Sequence, residues 1–117
     1  MDFNKRQLYT ITQEYYKAWG NKDLGKLKSM FSENIVLIDP VIKKARGLES
    51  VLEINKNIFN SCAILEILEL RILVDHFSNT TIGEAKFKCG ENKIEVVDIF
   101  TFDTKMKIDS ITAYLDT

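Results

Sequence analysis

The chain has 117 residues, 45% of them hydrophobic and 28% charged, and a formal net charge of −1. That length supports one hydrophobic core and not two, so residues 1–117 read as a single domain. The near-neutral balance gives no electrostatic reason to expect nucleic acid as a partner, and no long uncharged apolar run supplies a membrane-spanning helix. Met1–Arg6 lacks the apolar core of a signal peptide, so a cytoplasmic protein is expected. On that basis Cys62 and Cys89, far apart in sequence, read as reduced, half-buried thiols and not as a disulfide.

Taken in order, residues from about Phe3 to Trp19 read as a helix. Leu8, Ile11, Tyr15, Ala18 and Trp19 recur at helical spacing on one face. Gly20-Asn21 stops it. Tyr15 is the hydroxyl at the centre of that apolar face, whereas Tyr9 and Tyr16 fall to the sides. A second, shorter helix spans about Leu24 to Phe31, with Asp23 as a candidate N-cap. Ser32-Glu33-Asn34 reads as a turn. The first strand, Ile35 to Asp39, puts Ile35, Leu37 and Asp39 on one face. Pro40 ends its pairing because it has no N–H to donate. Asp before Pro is also a common way to start a turn.

A short return strand, Val41 to Arg46, carries a basic outer face. Gly47 leads into a third helix, about Leu48 to Phe59, with Leu48, Val51, Leu52, Asn55 and Phe59 as its inner stripe. Long strands follow: Leu65 to Val74, Thr80 to Cys89, Ile94 to Phe102 and Lys107 to Leu115. The Gly90-Glu91-Asn92 turn makes a hairpin. In the third of these strands one face carries Ile94, Val96, Asp98, Phe100 and Phe102. Asp98 therefore interrupts the greasier face, where a carboxylate must find donors, pair with a charge or stay protonated. Helices early and strands late argue an α+β fold. Three N-terminal helices packed in a strongly curved, mixed or antiparallel sheet would form a cone-shaped pocket. The outer faces of the strands, with Ile67, Leu73, Val97, Ile99 and Tyr114, are partly apolar, which predicts a homodimer through that surface.

Tyr15, Asp39 and Asp98 are polar where the pattern asks for apolar residues. Each also fits a structural role: a core tyrosine bonded to a carbonyl, a turn-starting aspartate, a buried aspartate tied to a neighbouring segment. Together they suggest chemistry. A neutral carboxyl and a tyrosine can both donate to one ketone oxygen and stabilise an enolate, while an ionised carboxylate moves the α-proton. His76, the single histidine, sits in a predicted turn, and one His with two distant Cys gives no metal spacing. No phosphate loop or dinucleotide fingerprint is present, and no cofactor is expected.

Tyr15-Tyr16-Lys17-Ala18-Trp19-Gly20-Asn21-Lys22-Asp23-Leu24 resembles the first-helix motif of the ketosteroid isomerase and SnoaL-like proteins of the nuclear transport factor 2-like superfamily. Val36-Leu37-Ile38-Asp39-Pro40-Val41 resembles the segment that carries the isomerase base. Arg46-Gly47-Leu48-Glu49-Ser50 resembles the start of its third helix, and Val97-Asp98-Ile99-Phe100-Thr101-Phe102 the strand with the protonated aspartic acid. The resemblance implies Tyr15 as oxyanion tyrosine, Asp39 as general base and Asp98 as neutral donor, roles that are the family's own. It also implies a dimer and isomerisation of a β,γ-unsaturated ketone without metal or cofactor. Phe31, Val41, Phe59, Phe87 and Phe100 are candidate pocket walls around an apolar ligand with a carbonyl or phenol-like oxygen. Two glycines usual in the family are replaced, by Ile42 at the pocket mouth and by Met106 in the last hairpin. The rival readings are a non-catalytic small-molecule-binding or dimeric adaptor module, and another SnoaL-like enzyme, a cyclase or dehydratase.

Overall fold

The computed structural model describes residues 4–41 and 43–116, so Phe3 and Ile42 lie outside the described residues. Helix α1 spans Lys5–Gly20. The Asn4 side chain accepts the Gln7 N–H at 2.8 Å, and the Gln7 side chain accepts the Asn4 N–H at 3.2 Å. This reciprocal cap satisfies N–H groups that the first turn leaves without a partner. Helix α2 (Leu24–Met30) starts where Asp23 accepts the Lys26 N–H at 3.0 Å. Phe31, expected to end that helix, opens strand β1 (Phe31–Asp39) instead. The turn expected at Ser32–Asn34 persists inside this strand as an irregularity: Ser32 Oγ accepts the Asn34 N–H at 3.1 Å, and the register breaks between Phe31 and Val36.

Strand β2 (Lys43–Arg46) returns antiparallel to β1, with Ala45 buried and its two lysines exposed. Gly47, at φ 93°, turns the chain into helix α3 (Leu48–Ser61). That left-handed angle strains any residue with a Cβ. The helix runs past its expected stop at Phe59. Strands β3 (Leu65–Asp75), β4 (Thr80–Cys89), β5 (Asn92–Phe102) and β6 (Ile108–Asp116) complete one sheet in the order β2-β1-β6-β5-β4-β3. Among the described residues only β1 and β6 pair in parallel, which makes the sheet mixed. The α+β expectation holds: α1 packs on β3 and β4, α3 on β1 and β2, and α2 bridges the other two helices over the curved sheet. Met106 adopts φ 62° in the last hairpin. A non-glycine residue there carries about 1–2 kcal/mol of strain, the cost of departing from glycine.

Two sequence expectations are corrected here. Strict alternation along β3 puts Ile67 on the outer face with Glu69, but a bulge between the two reverses it, and Ile67 faces the helices, its side chain close to Gly20. Helical spacing puts Tyr16 at the side of α1, yet it is buried, as is Thr12. The cause is that two strands of the sheet cover α1, so its covered arc is wider than one stripe. Thr12 Oγ1 donates to the Leu8 carbonyl at 2.8 Å and lies 2.7 Å from Thr81 Oγ1.

The outer face of the sheet is mixed. Leu73, Ile38 and Tyr114 are exposed on it. Beside them Lys86 lies 3.4 Å from Glu69 and 3.3 Å from Glu95, and Arg71 pairs with Glu84 at 2.5 Å. Solvent screens such exposed pairs, so they stabilise the sheet little.

Candidate active site

Asp98 sits mid-way along β5, and its neighbours on the sheet are Gly83 of β4 and Ala113 of β6. Both are small, which leaves room beside the carboxyl. Tyr16 of α1 fills the β4 side. Its hydroxyl donates to Asp98 Oδ2 at 2.6 Å. A Cβ at Gly83 would collide with the Tyr16 hydroxyl and the edge of its ring. The glycine is therefore required by close approach and not by backbone angle.

Asp39 lies on the other side. Ile38 pairs with Thr112, one residue short of Asp39 and Ala113. Asp39 and Asp98 thus lie on one row with β6 between them, about 10 Å apart at the backbone by the usual strand spacing. The concave sheet tilts both side chains towards the same space. That space is a cavity of about 310 Å³ between the helices and the sheet. Tyr15, Tyr16, Asp39 and Asp98 all line it, as do Trp19, Asn55 and Ser61. The remaining wall is almost wholly apolar, with Leu37, Ile58, Ile67, Phe87, Ile94, Val96, Ile111 and Leu115. No lysine, arginine or histidine lies among the described lining residues.

Of the five expected wall residues, Val41 and Phe87 line the cavity. Phe31, Phe59 and Phe100 do not; they are buried one layer behind it. Phe100 packs edge-on against Tyr15 at 5.0 Å and Tyr16 at 5.8 Å, as Phe59 does against Trp19 at 5.9 Å, and Phe31 lies tilted against Tyr15 at 6.2 Å. These rings hold the lining aromatics in place.

Asp98 is 7% exposed. Burial pushes its carboxyl from 3.8 up to about 6; the Tyr16 hydrogen bond pulls it back, and the Asp39 charge across the cavity pushes it up again. Burial, and then the Asp98 charge, hold both Tyr15 and Tyr16 well above the ordinary phenol value, so both are neutral donors. Tyr16 spends its proton on Asp98 Oδ2, which leaves Oδ1 for Asp98's own proton. The Tyr15 hydroxyl makes no hydrogen bond to another described residue. Asp39 Oδ1 accepts the Val41 N–H at 2.8 Å, an Asx-type turn that fixes the carboxylate at the rim.

The hydroxyl bonded to Asp98 is that of Tyr16, not that of Tyr15 at the centre of the apolar stripe, and helical spacing alone does not reveal it. A signal was present: the hairpin register sets Gly83 opposite Asp98, and the gap beside a buried carboxyl needs a bulky donor. Gly83→Ala is expected to displace the Tyr16 ring, strip Asp98 of its partner and destabilise the fold by about 1–3 kcal/mol. Urea unfolding measures this, and an unchanged midpoint would show that the two groups do not depend on Gly83.

The cysteines are also corrected. Cys62 and Cys89 form a disulfide, with Cα atoms 4.9 Å apart. Leu65 pairs with Cys89 in the sheet, and Cys62 caps α3 just before β3 begins, so folding brings together residues separated by 27 positions. Both cysteines line the cavity. Disulfides persist in oxidising compartments, so the expectation of reduced thiols, drawn from a cytoplasmic location, fails.

No protein-family model matches the sequence, and no curated protein is similar to it. Solved structures are. A SnoaL-like protein of unknown function from Burkholderia thailandensis superposes with a TM-score of 0.86 at 15% identity, over 98% of this chain and 99% of that one. The chain has the SnoaL-like, NTF2-like fold. A steroid delta-isomerase from Pseudomonas aeruginosa shares it, with a TM-score of 0.74, 16% identity, and coverage of 94% of this chain and 80% of that one. So does SalBIII, an epoxide hydrolase/cyclase-like enzyme of pyran ring formation in salinomycin, with a TM-score of 0.74, 21% identity, and coverage of 97% and 94%. In this chain the polar cluster lies where the helices meet the concave face of the sheet.

Proposed function

We propose that the protein is a cofactor-free enzyme that moves a proton next to a carbonyl, as a ketosteroid isomerase does. The observation that carries this reading is the meeting of two carboxyl groups and a tyrosine hydroxyl in one apolar cavity. Asp39 takes the proton from the carbon between the carbonyl and the double bond. The C–H electrons form the enolate, and charge gathers on oxygen. Tyr15 and the protonated Oδ1 of Asp98 donate to that oxygen. Asp39 then returns the proton to the γ-carbon, giving the conjugated ketone and restoring its own carboxylate. Oxidation state is unchanged, so no redox partner is needed. A developing oxyanion beside Asp98 adds a like charge and drives that carboxyl further towards its neutral form.

The pH dependence follows. Asp98 must be protonated in the free enzyme, so kcat/KM is expected to fall as pH rises through about 6. Stability follows the same sense. A carboxyl whose folded value is raised contributes fully below its unfolded value and loses that contribution as pH rises through the folded one. Between 3.8 and about 6 the loss reaches about 3 kcal/mol. Asp98→Asn keeps an acceptor for Tyr16 and is expected to flatten this slope in urea unfolding from pH 4 to 8.

The activity is tested with a β,γ-unsaturated cyclic ketone such as cyclohex-3-en-1-one in D2O, followed by proton NMR. The expected result is loss of the α-proton signal and formation of the conjugated enone above the buffer rate. A panel of such ketones that shows neither exchange nor enone would contradict the reading. The same proposal includes a homodimer through the outer sheet face, supported by the exposed Ile38, Leu73 and Tyr114. Light scattering tests it, and a monomer across the micromolar range would count against it.

A further inference from the structure

The reaction uses Asp39 and Asp98 of the sheet and Tyr15 of α1, and leaves a buried polar group on α3. Asn55 of α3 is 5% exposed and lines the cavity. Its Oδ1 accepts the Trp19 indole N–H at 3.1 Å. An indole nitrogen only donates, so this bond fixes which end of the amide is oxygen. The amide nitrogen donates to the Val51 carbonyl at 2.9 Å. It carries two hydrogens, and the second makes no hydrogen bond to another described residue. Trp19 is itself held edge-on by Phe59 at 5.9 Å and Phe87 at 5.0 Å, so the amide sits in a rigid frame. Ser61, another polar lining residue on α3, spends its hydroxyl on the Ile58 carbonyl at 2.9 Å and is exposed. A buried N–H without a partner is costly in an apolar wall and favours a ligand that supplies one.

We infer that Asn55 is a second polar anchor and that the substrate carries, besides the reacting carbonyl, a second acceptor oxygen that takes the Asn55 Nδ2–H. This rests on the proposed reaction for the first oxygen only. The substrate class becomes an apolar body bearing two acceptors, one on the Asp98–Tyr15 side and one against α3. It excludes plain hydrocarbons with a single ketone as the preferred ligand. It also makes Asn55 a specificity residue: it selects by an oxygen remote from the chemistry.

The test uses paired probes that differ in one atom type. The 6-acetyl and 7-acetyl 2-naphthols are compared with their isopropenyl counterparts, in which C=CH2 replaces C=O. Fluorescence titration gives the affinity ratio in wild type, Asn55→Leu and Asn55→Asp. In wild type at least one acetyl isomer is expected to bind about 3- to 10-fold tighter than its match, the value of one neutral hydrogen bond. The ratio should fall to about one in Asn55→Leu. It should invert in Asn55→Asp, which keeps an acceptor for Trp19 but faces the ligand oxygen with another acceptor. If the leucine variant fails to fold because Trp19 loses its partner, the aspartate variant decides. A ratio near one for both isomers in wild type, or a ratio that Asn55 substitutions do not alter, overturns the inference. 2-Acetylnaphthalene and 2-isopropenylnaphthalene make the same comparison without a phenol. If no naphthol binds but this neutral pair still discriminates through Asn55, the oxyanion site fails and the anchor stands.

Discussion

Asp39→Asn is expected to abolish proton transfer and to leave the fold intact. Asparagine has almost the same shape, and its side-chain oxygen can still accept the Val41 N–H that Asp39 accepts at 2.8 Å. What it loses is basicity. Loss of a positioned general base lowers kcat by roughly 10²- to 10⁴-fold. The effect should fall on kcat and not on affinity for a neutral ketone when measured below about pH 6, because neither donor side chain is altered; above that pH the loss of the Asp39 charge, one cause of the raised Asp98 value, lets Asp98 ionise more readily. Steady-state kinetics with circular dichroism as a folding check separates the two. Retained turnover in Asp39→Asn would contradict the assignment of the base.

Breaking the Cys62–Cys89 link is expected to have the largest effect on stability. Closing a loop of 27 residues restricts the unfolded chain by about 3.5 kcal/mol in the chain-entropy model. For a domain of this size that is a fall in Tm on the order of 10–15 °C. The cavity should feel it too, because both cysteines line its wall. Thermal unfolding of the native protein, of protein treated with reductant and of a Cys62→Ser, Cys89→Ser double variant checks this. Free thiols titrating fully in protein prepared without reductant, with one Tm for all three samples, would contradict the link.

The parts of the site that the sequence makes legible are those that break a local pattern. Asp98 stands alone among Ile94, Val96, Phe100 and Phe102 on an alternating strand, so both its burial and its oddity can be read directly. Asp39 is read from the same alternation and from Pro40 behind it. Tyr16 could not be read that way, because the sheet covers more of α1 than one helical stripe. Ile67 was misplaced because both faces of β3 carry apolar residues, and a bulge at Leu68 leaves no mark in such a run. The disulfide needed the pairing of Leu65 with Cys89, which is a property of register and not of composition. β1 began earlier than expected because a turn-like Ser-Glu-Asn sequence can also sit inside a strand as an irregularity. Phe31, Phe59 and Phe100, expected as pocket walls, lie instead behind the lining side chains of Tyr15, Tyr16 and Trp19.

The measurement that bears most directly on the oxyanion site needs no knowledge of the substrate. Titrate the protein with 2-naphthol, whose phenolate mimics an enolate oxygen, and follow its absorbance and fluorescence in wild type, Asp39→Asn and Asp98→Leu. The expected result is binding that shifts the naphthol towards its ionised form. It should strengthen in Asp39→Asn, where a like charge is removed. It should weaken by about 10- to 100-fold in Asp98→Leu, the value of a hydrogen bond to a charged group. If no naphthol binds, or if binding ignores both substitutions, Tyr15, Asp39 and Asp98 do not form an oxyanion site.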